Sequence, residues 1–238
     1  MIRFPSLRAC LGGLTSAVVI ALAGCSTPAP PPPPPPPVVT IPPRPSPPLG
    51  AAPNLTIPPL GPSGTRTTVN SNLSTAQIVW NLRSAFNVAA LNCLDPEFAP
   101  ILPGYSSFLQ THKKALSTVN KDLDRNFREN FGAKIYIRER ETYQTQVYNY
   151  FALPPVQKSF CNAALQVSNE LLTVPAGQLE TYAEGGLEKI DTPFREFFNS
   201  YDQYRADLQA WEARYGAGQP VTVAVPMVVQ DPQASAGT

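Results

Sequence analysis

One histidine, four cysteines and a glutamate inside an apolar run are the residues of this chain best suited to chemistry. His112 stands alone, which excludes zinc sites built on two or three histidines. It falls on an apolar helical stripe, where it reads as a core side chain rather than a base or ligand. There is no Cys-x-x-Cys-His segment for c-type haem and no pair of Glu-x-x-His segments for a di-iron bundle. A phosphate-cradling glycine motif and a Gly-x-Ser-x-Gly elbow are missing as well. Gly185-Gly186 reads as a helix break. Glu170, in the apolar run from Val167 to Leu172, has the setting in which a carboxyl is raised into use as a general acid. Seven aromatics between Phe194 and Tyr215 have the rings of a sugar-stacking platform, but their spacing of three and four residues reads as core. No catalytic residue, metal or cofactor is assigned from these patterns.

The elements that carry these residues are helical. Ile78, Leu82, Ala85/Phe86, Ala89 and Cys93 share one helix face, and Ser74 with Gln77 has capping-box spacing at its start. Asp95-Pro96 opens a short helix that Pro103-Gly104 ends. A long stripe then runs from Tyr105 through His112 to Phe127, with Gly132 as its C-cap. A helix over about 134–151 follows, although Ile135-Tyr136-Ile137 also suits a strand, and Pro154-Pro155 stops it. Val156, Phe160, Ala164, Val167 and Leu171 form a further stripe, and a weaker helix spans about 179–190. Thr192-Pro193 predicts the cap and first turn of a final helix that Gly216 ends.

Ahead of these lies a positive, then apolar, then small-residue N-terminus. Arg3 and Arg8 precede an apolar core of about 13 residues, short of the roughly 20 a spanning helix needs, so residues 1–24 read as a secretory signal. Leu22-Ala23-Gly24-Cys25 resembles the lipobox of bacterial lipoproteins. That resemblance implies a lipidated Cys25 as the first mature residue, a permanent membrane anchor. Ser26 in place of Asp implies, in the sorting rule of that family, the outer membrane facing the periplasm. Cys10 leaves with the signal, so Cys93 and Cys161 remain in an oxidising compartment. A disulfide is the leading reading, and two separately buried thiols are the alternative.

Residues 25–64 read as a lipidated start and a proline-rich linker. From Pro28 to Pro62 lie 18 of the chain's 29 prolines, with an unbroken run over 30–37. Such a segment forms neither helix nor central strand and favours polyproline II, roughly 100 Å if fully extended. It reads as a linker, or as a spacer that lifts the domain off the membrane. Residues 65–216 are then the folded domain, and 217–238 a tail.

Loss of Arg3 and Arg8 leaves 16 basic and 17 acidic side chains, which argues against nucleic acid as a partner. The charge is uneven: 113–140 hold eight basic and four acidic residues, and 170–214 hold four basic and nine acidic. This reads as two segments of a bundle, attracting each other or separately solvated, or as a polarised surface for a charged partner.

The stretch Trp80-Asn81-Leu82-Arg83 through Ala89-Ala90-Leu91-Asn92-Cys93, with Phe160-Cys161, is similar to a group of uncharacterised helical exported proteins of Gram-negative bacteria. It implies an all-α fold and the pairing of the two cysteines, and no activity. The expectation is an all-α, irregular bundle of about six helices behind a disordered proline-rich stalk. Its expected role is a binding or structural module of the cell envelope, with an envelope protein or peptidoglycan as partner. The alternatives are a cell-wall hydrolase or a bundle that binds a small molecule or lipid. Around Glu170, Ser168-Asn169-Glu170-Leu171 lacks the sequence blocks of lytic transglycosylases.

Overall fold

A helix buried around most of its circumference must be surrounded, and Thr75–Asn92 (α1) is that helix here. Val79, Leu82, Ala85, Phe86 and Ala89 are wholly buried, and Ala76, Ser84 and Ala90 are small enough for neighbours to approach closely. The other five helices of the computed structural model, which describes residues 31–33 and 40–216, are Ile101–Thr111 (α2), Lys113–Phe131 (α3), Tyr136–Phe151 (α4), Gln157–Leu171 (α5) and Leu179–Tyr215 (α6). All five pack against α1. Burying a side chain such as Phe86 or Leu82 contributes about 1.5–3 kcal/mol, so the central helix organises the core. Among the described residues there is no strand, only an isolated bridge between Leu60 and Arg66. The bundle is all-α, as expected. The tail 217–238 and most of the stalk before residue 40 lie outside the described residues.

The capping box at Ser74 and Gln77 forms with both of its bonds. Gly132, at φ 75°, ends α3 in a conformation that costs glycine little, and 136–151 is helix rather than strand. Three other expectations are corrected. The segment after Asp95-Pro96 is a single 3-10 turn, Pro96–Phe98, and α2 then starts at Ile101 with Pro103 in its first turn, where no amide is needed. The expected long stripe is two helices: His112, at φ −102° and ψ 13°, closes α2 through its amide to Phe108 and opens α3 through its carbonyl to Leu116.

The third correction concerns Thr192-Pro193, which does not start a helix. α6 runs unbroken through it for 37 residues, and through Gly185-Gly186 as well, which is therefore not a helix break. Pro193 has no amide for the Lys189 carbonyl, and the neighbouring Thr192 hydroxyl donates to Glu188 instead (2.9 Å). Ile190, Phe194 and Phe197, buried on both sides of the proline, hold the two halves on one core.

The folded unit also begins earlier than expected. Its described part starts at Ile41, so residues 41–64, read from sequence as linker, belong to it. With the following residues to Asn70 they form a strap that runs antiparallel along α6. The Trp211 indole donates to the Pro42 carbonyl (2.8 Å), and Arg44 pairs with Glu212 (2.6 Å). Tyr201 donates to the Ala52 carbonyl and accepts from the Leu55 amide, and Arg205 donates to the Leu55 carbonyl. Arg66, nearly buried, donates to Pro58 (2.7 Å) and pairs with Asp202 (2.6 Å). Prolines that cannot join a helix or a ladder can still lie in a groove with their carbonyls accepting, and Ala51 and Ile57 bury there.

Candidate functional site

Cys25 lies outside the described residues. Cys93 and Cys161 are joined as a disulfide with Cα atoms 5.6 Å apart, tying the end of α1 to α5 across 68 residues of chain. His112 is 1% exposed against Phe108, with neither ring nitrogen in a well-formed hydrogen bond; burial lowers its pKa, weakly opposed by the Ala176 carbonyl. It is a core histidine, as its place on the stripe implied.

Glu170 is not the raised carboxyl that its sequence setting suggested. The Lys189 ammonium reaches both of its oxygens (2.7 and 2.6 Å), and Tyr182 donates to it as well (2.8 Å). The bond from Lys189 holds the Glu170 carboxyl below its usual range despite partial burial, the opposite of what a general acid requires. Five of the seven α6 aromatics are core: Phe194, Phe197, Phe198, Tyr201 and Tyr204 are buried, and Phe194 meets Phe151 and Phe160 edge-on. Trp211 and Tyr215 instead lie partly exposed near the end of the helix, outside the core that their spacing predicted.

The two charged segments do not pair with each other among the described residues. Arg125 pairs with Asp122 and Arg140 with Asp124 inside the basic one, and Arg195 pairs with Glu188 inside the acidic one. The strap's Arg44 and Arg66 neutralise part of the acidic helix instead.

A polar chain crosses the core where the strap meets α1, α4 and α6. Wholly buried Asn81 donates to Val69 and Asn70 and accepts from the Tyr143 hydroxyl (2.6 Å). Asn70 and Tyr150 both donate to Asp191 (2.6 and 2.7 Å). Burial raises both phenols, and the Asp191 charge raises Tyr150 further, so both hydroxyls remain protonated donors. Every link in this chain is hydrogen-bonded, so it fixes the register of the strap against the bundle. Sequence reading gave Asn81 no role; its signal was a carboxamide between the apolar Trp80 and Leu82.

Beside this chain opens a groove of about 640 Å³ between the start of α1, the end of α3 and the middle of α4. Its walls come from i, i+4 pairs. Phe127 and Phe131 stack at 5.6 Å, Asn126 and Asn130 lie one residue before each of them, and Thr142 and Gln146 face them from α4. Helical spacing places each pair on one face, a pattern legible in the sequence but not singled out there. Tyr143, 5.4 Å from Phe127, connects the groove to the polar chain through Asn81. Phe131 keeps 45% of its surface exposed. Among the described residues, no side-chain hydrogen bond engages Asn130, Thr142 or Gln146, so the groove offers an apolar ring and unused donors and acceptors together.

No helix of the described residues is long and apolar enough to cross a membrane, and no cluster of three metal-ligating side chains occurs among them. Comparison of the chain with protein-family models, with curated proteins and with solved structures gave no match.

Proposed function

We propose that this chain is a cell-envelope lipoprotein whose helical domain is a binding module, anchored through lipid on Cys25 at the outer membrane and facing the periplasm. The observation that carries the reading is the groove at the α3–α4 end: a small-molecule-sized recess with unused hydrogen-bonding groups and an uncovered aromatic ring. The strap supports it by setting where the tether joins the domain. Asn70, near the groove, meets α6 at Asp191, and Pro42 meets it at Trp211. Twenty residues of helix, about 30 Å, separate those two levels. The described start of the folded unit therefore lies at the end of α6 away from the groove.

The test is site-specific photocrosslinking in cells, with the reactive residue at Gln146 on the groove and, separately, at Gln209 on exposed α6. Adducts specific to Gln146 in the membrane fraction, lost from it when Cys25→Ser releases the protein, are the expected result. Equal labelling from both positions refutes the binding-module reading.

A further inference from the structure

The lining of the groove selects a ligand class. Its charged groups are Glu129 and Glu139, and it contains no lysine, arginine or histidine, although Arg125, Arg128 and Arg138 stand on the same two helices. Arg138 pairs with Glu139 (2.9 Å) from outside the lining, and with Glu129 beside it and no cation in the lining itself, the groove offers no free positive charge to phosphates, carboxylates or anionic headgroups. An alkyl chain is disfavoured too, because inserting it would strip water from Asn130, Thr142 and Gln146 without replacing the hydrogen bonds. What fits is an uncharged molecule with an apolar face and a hydrogen-bonding edge. A pyranose ring is built that way: C–H groups cluster on one face, and hydroxyls radiate around the rim.

Resting on the binding-module reading, we infer that this groove binds a neutral saccharide of one or two pyranose rings. One ring face lies on Phe131, whose orientation is held by Phe127 stacked behind it at 19°. The rim hydroxyls meet Asn130, Thr142 and Gln146, each able to donate and accept. Glu129, and the Glu139 oxygen that Arg138 leaves open, accept from further hydroxyls. Phe127 and Tyr143 are fixed by the core and by Asn81, so the floor needs no reordering on binding. The volume lies within the roughly 300–1,000 Å³ typical of small-ligand sites.

The test uses the mature lipidated chain in a detergent without a sugar headgroup. Saturation-transfer NMR and calorimetry read binding of four uncharged trisaccharides: β1,4-linked N-acetylglucosamine, β1,4-linked glucose, α1,4-linked glucose and mannose. Trilysine and inorganic phosphate serve as charged probes. At least one trisaccharide binds, and Phe131→Ala and the pair Asn130→Ala/Gln146→Ala each weaken it at least tenfold. Phe131→Leu, which keeps apolar bulk but loses the flat ring, weakens it as well, and circular dichroism confirms that the variants fold. Binding of no trisaccharide, or binding that survives these variants, overturns the inference, as does binding of trilysine or phosphate alone. Protein adducts specific to Gln146 in cells, beside a negative sugar panel, end the saccharide inference and leave the binding-module reading standing. Loss of both ends both.

Discussion

Tyr201→Phe isolates the hold of the strap on the bundle. The ring is wholly buried between Phe197 and Tyr204, with the Arg205 guanidinium over its face at 4.9 Å, and phenylalanine retains that packing. What goes is the hydroxyl, which donates to Ala52 at 2.7 Å and accepts from Leu55 at 2.9 Å. A buried group left without its partner costs about 1–3 kcal/mol. The Leu55 amide keeps a turn bond to the Ala52 carbonyl at 3.1 Å, and Ala52 is exposed enough for water to replace the lost donor. The expected loss is therefore about 1–2 kcal/mol, which accelerates hydrogen exchange of the Leu55 amide roughly five- to thirtyfold. Exchange read by NMR on the folded chain, with urea unfolding in parallel, measures both. A Leu55 amide that exchanges equally fast in the parent and in Tyr201→Phe refutes the placement of residues 41–64 in the folded unit.

Three further outcomes are expected. Replacing both Cys93 and Cys161 with alanine opens a loop spanning 68 residues and lowers stability by about 4 kcal/mol in urea unfolding; a loss below about 1 kcal/mol contradicts a constraining crosslink. Gly104→Ala drives its Cβ into the Ser168 hydroxyl, itself buried without a hydrogen-bond partner, and costs about 1–3 kcal/mol. Adding Ser168→Ala leaves only contacts of 3.5 Å or more, so the double variant melts no lower than the parent because alanine also favours the helix; a double variant as unstable as the single rules out that clash. His112, the chain's sole histidine, has its pKa lowered by burial, so the unfolded chain binds more protons near neutrality. Stability is full above the ordinary imidazole value of about 6.5 and declines as pH falls below it. In His112→Leu, urea midpoints at pH 7.5 and 5.5 converge; an unchanged difference between them assigns the decline to other groups.

Much of the fold was legible locally. Capping at Ser74, the stop at Pro154-Pro155, the glycine at 132 and the three- and four-residue spacing of Phe194 to Tyr204 depend on neighbours within a turn or two, and each took the expected form. The two cysteines were paired from their number and the expected compartment. The elbow at His112 was not legible, because the apolar spacing continues through it and only the packing of α2 and α3 on α1 sets the bend. Glu170 misled because an apolar sequence neighbourhood says nothing of Lys189, which arrives 19 residues later to pair with it.

What the sequence by itself determined is the all-helical class and the absence of familiar catalytic and metal motifs. Those follow from residue types and short-range periodicity. The tertiary structure alone decided that Pro193 sits inside α6, that residues 41–64 lie on the domain, and that groove side chains of α3 and α4 face one recess beside the start of α1. The physical reason is the same in each case. A proline's local preference for a helix start, or a proline-rich segment's preference for extension, amounts to a few kcal/mol at most, and the burial of Phe194, Tyr201 and Ile57 against distant partners outweighs it.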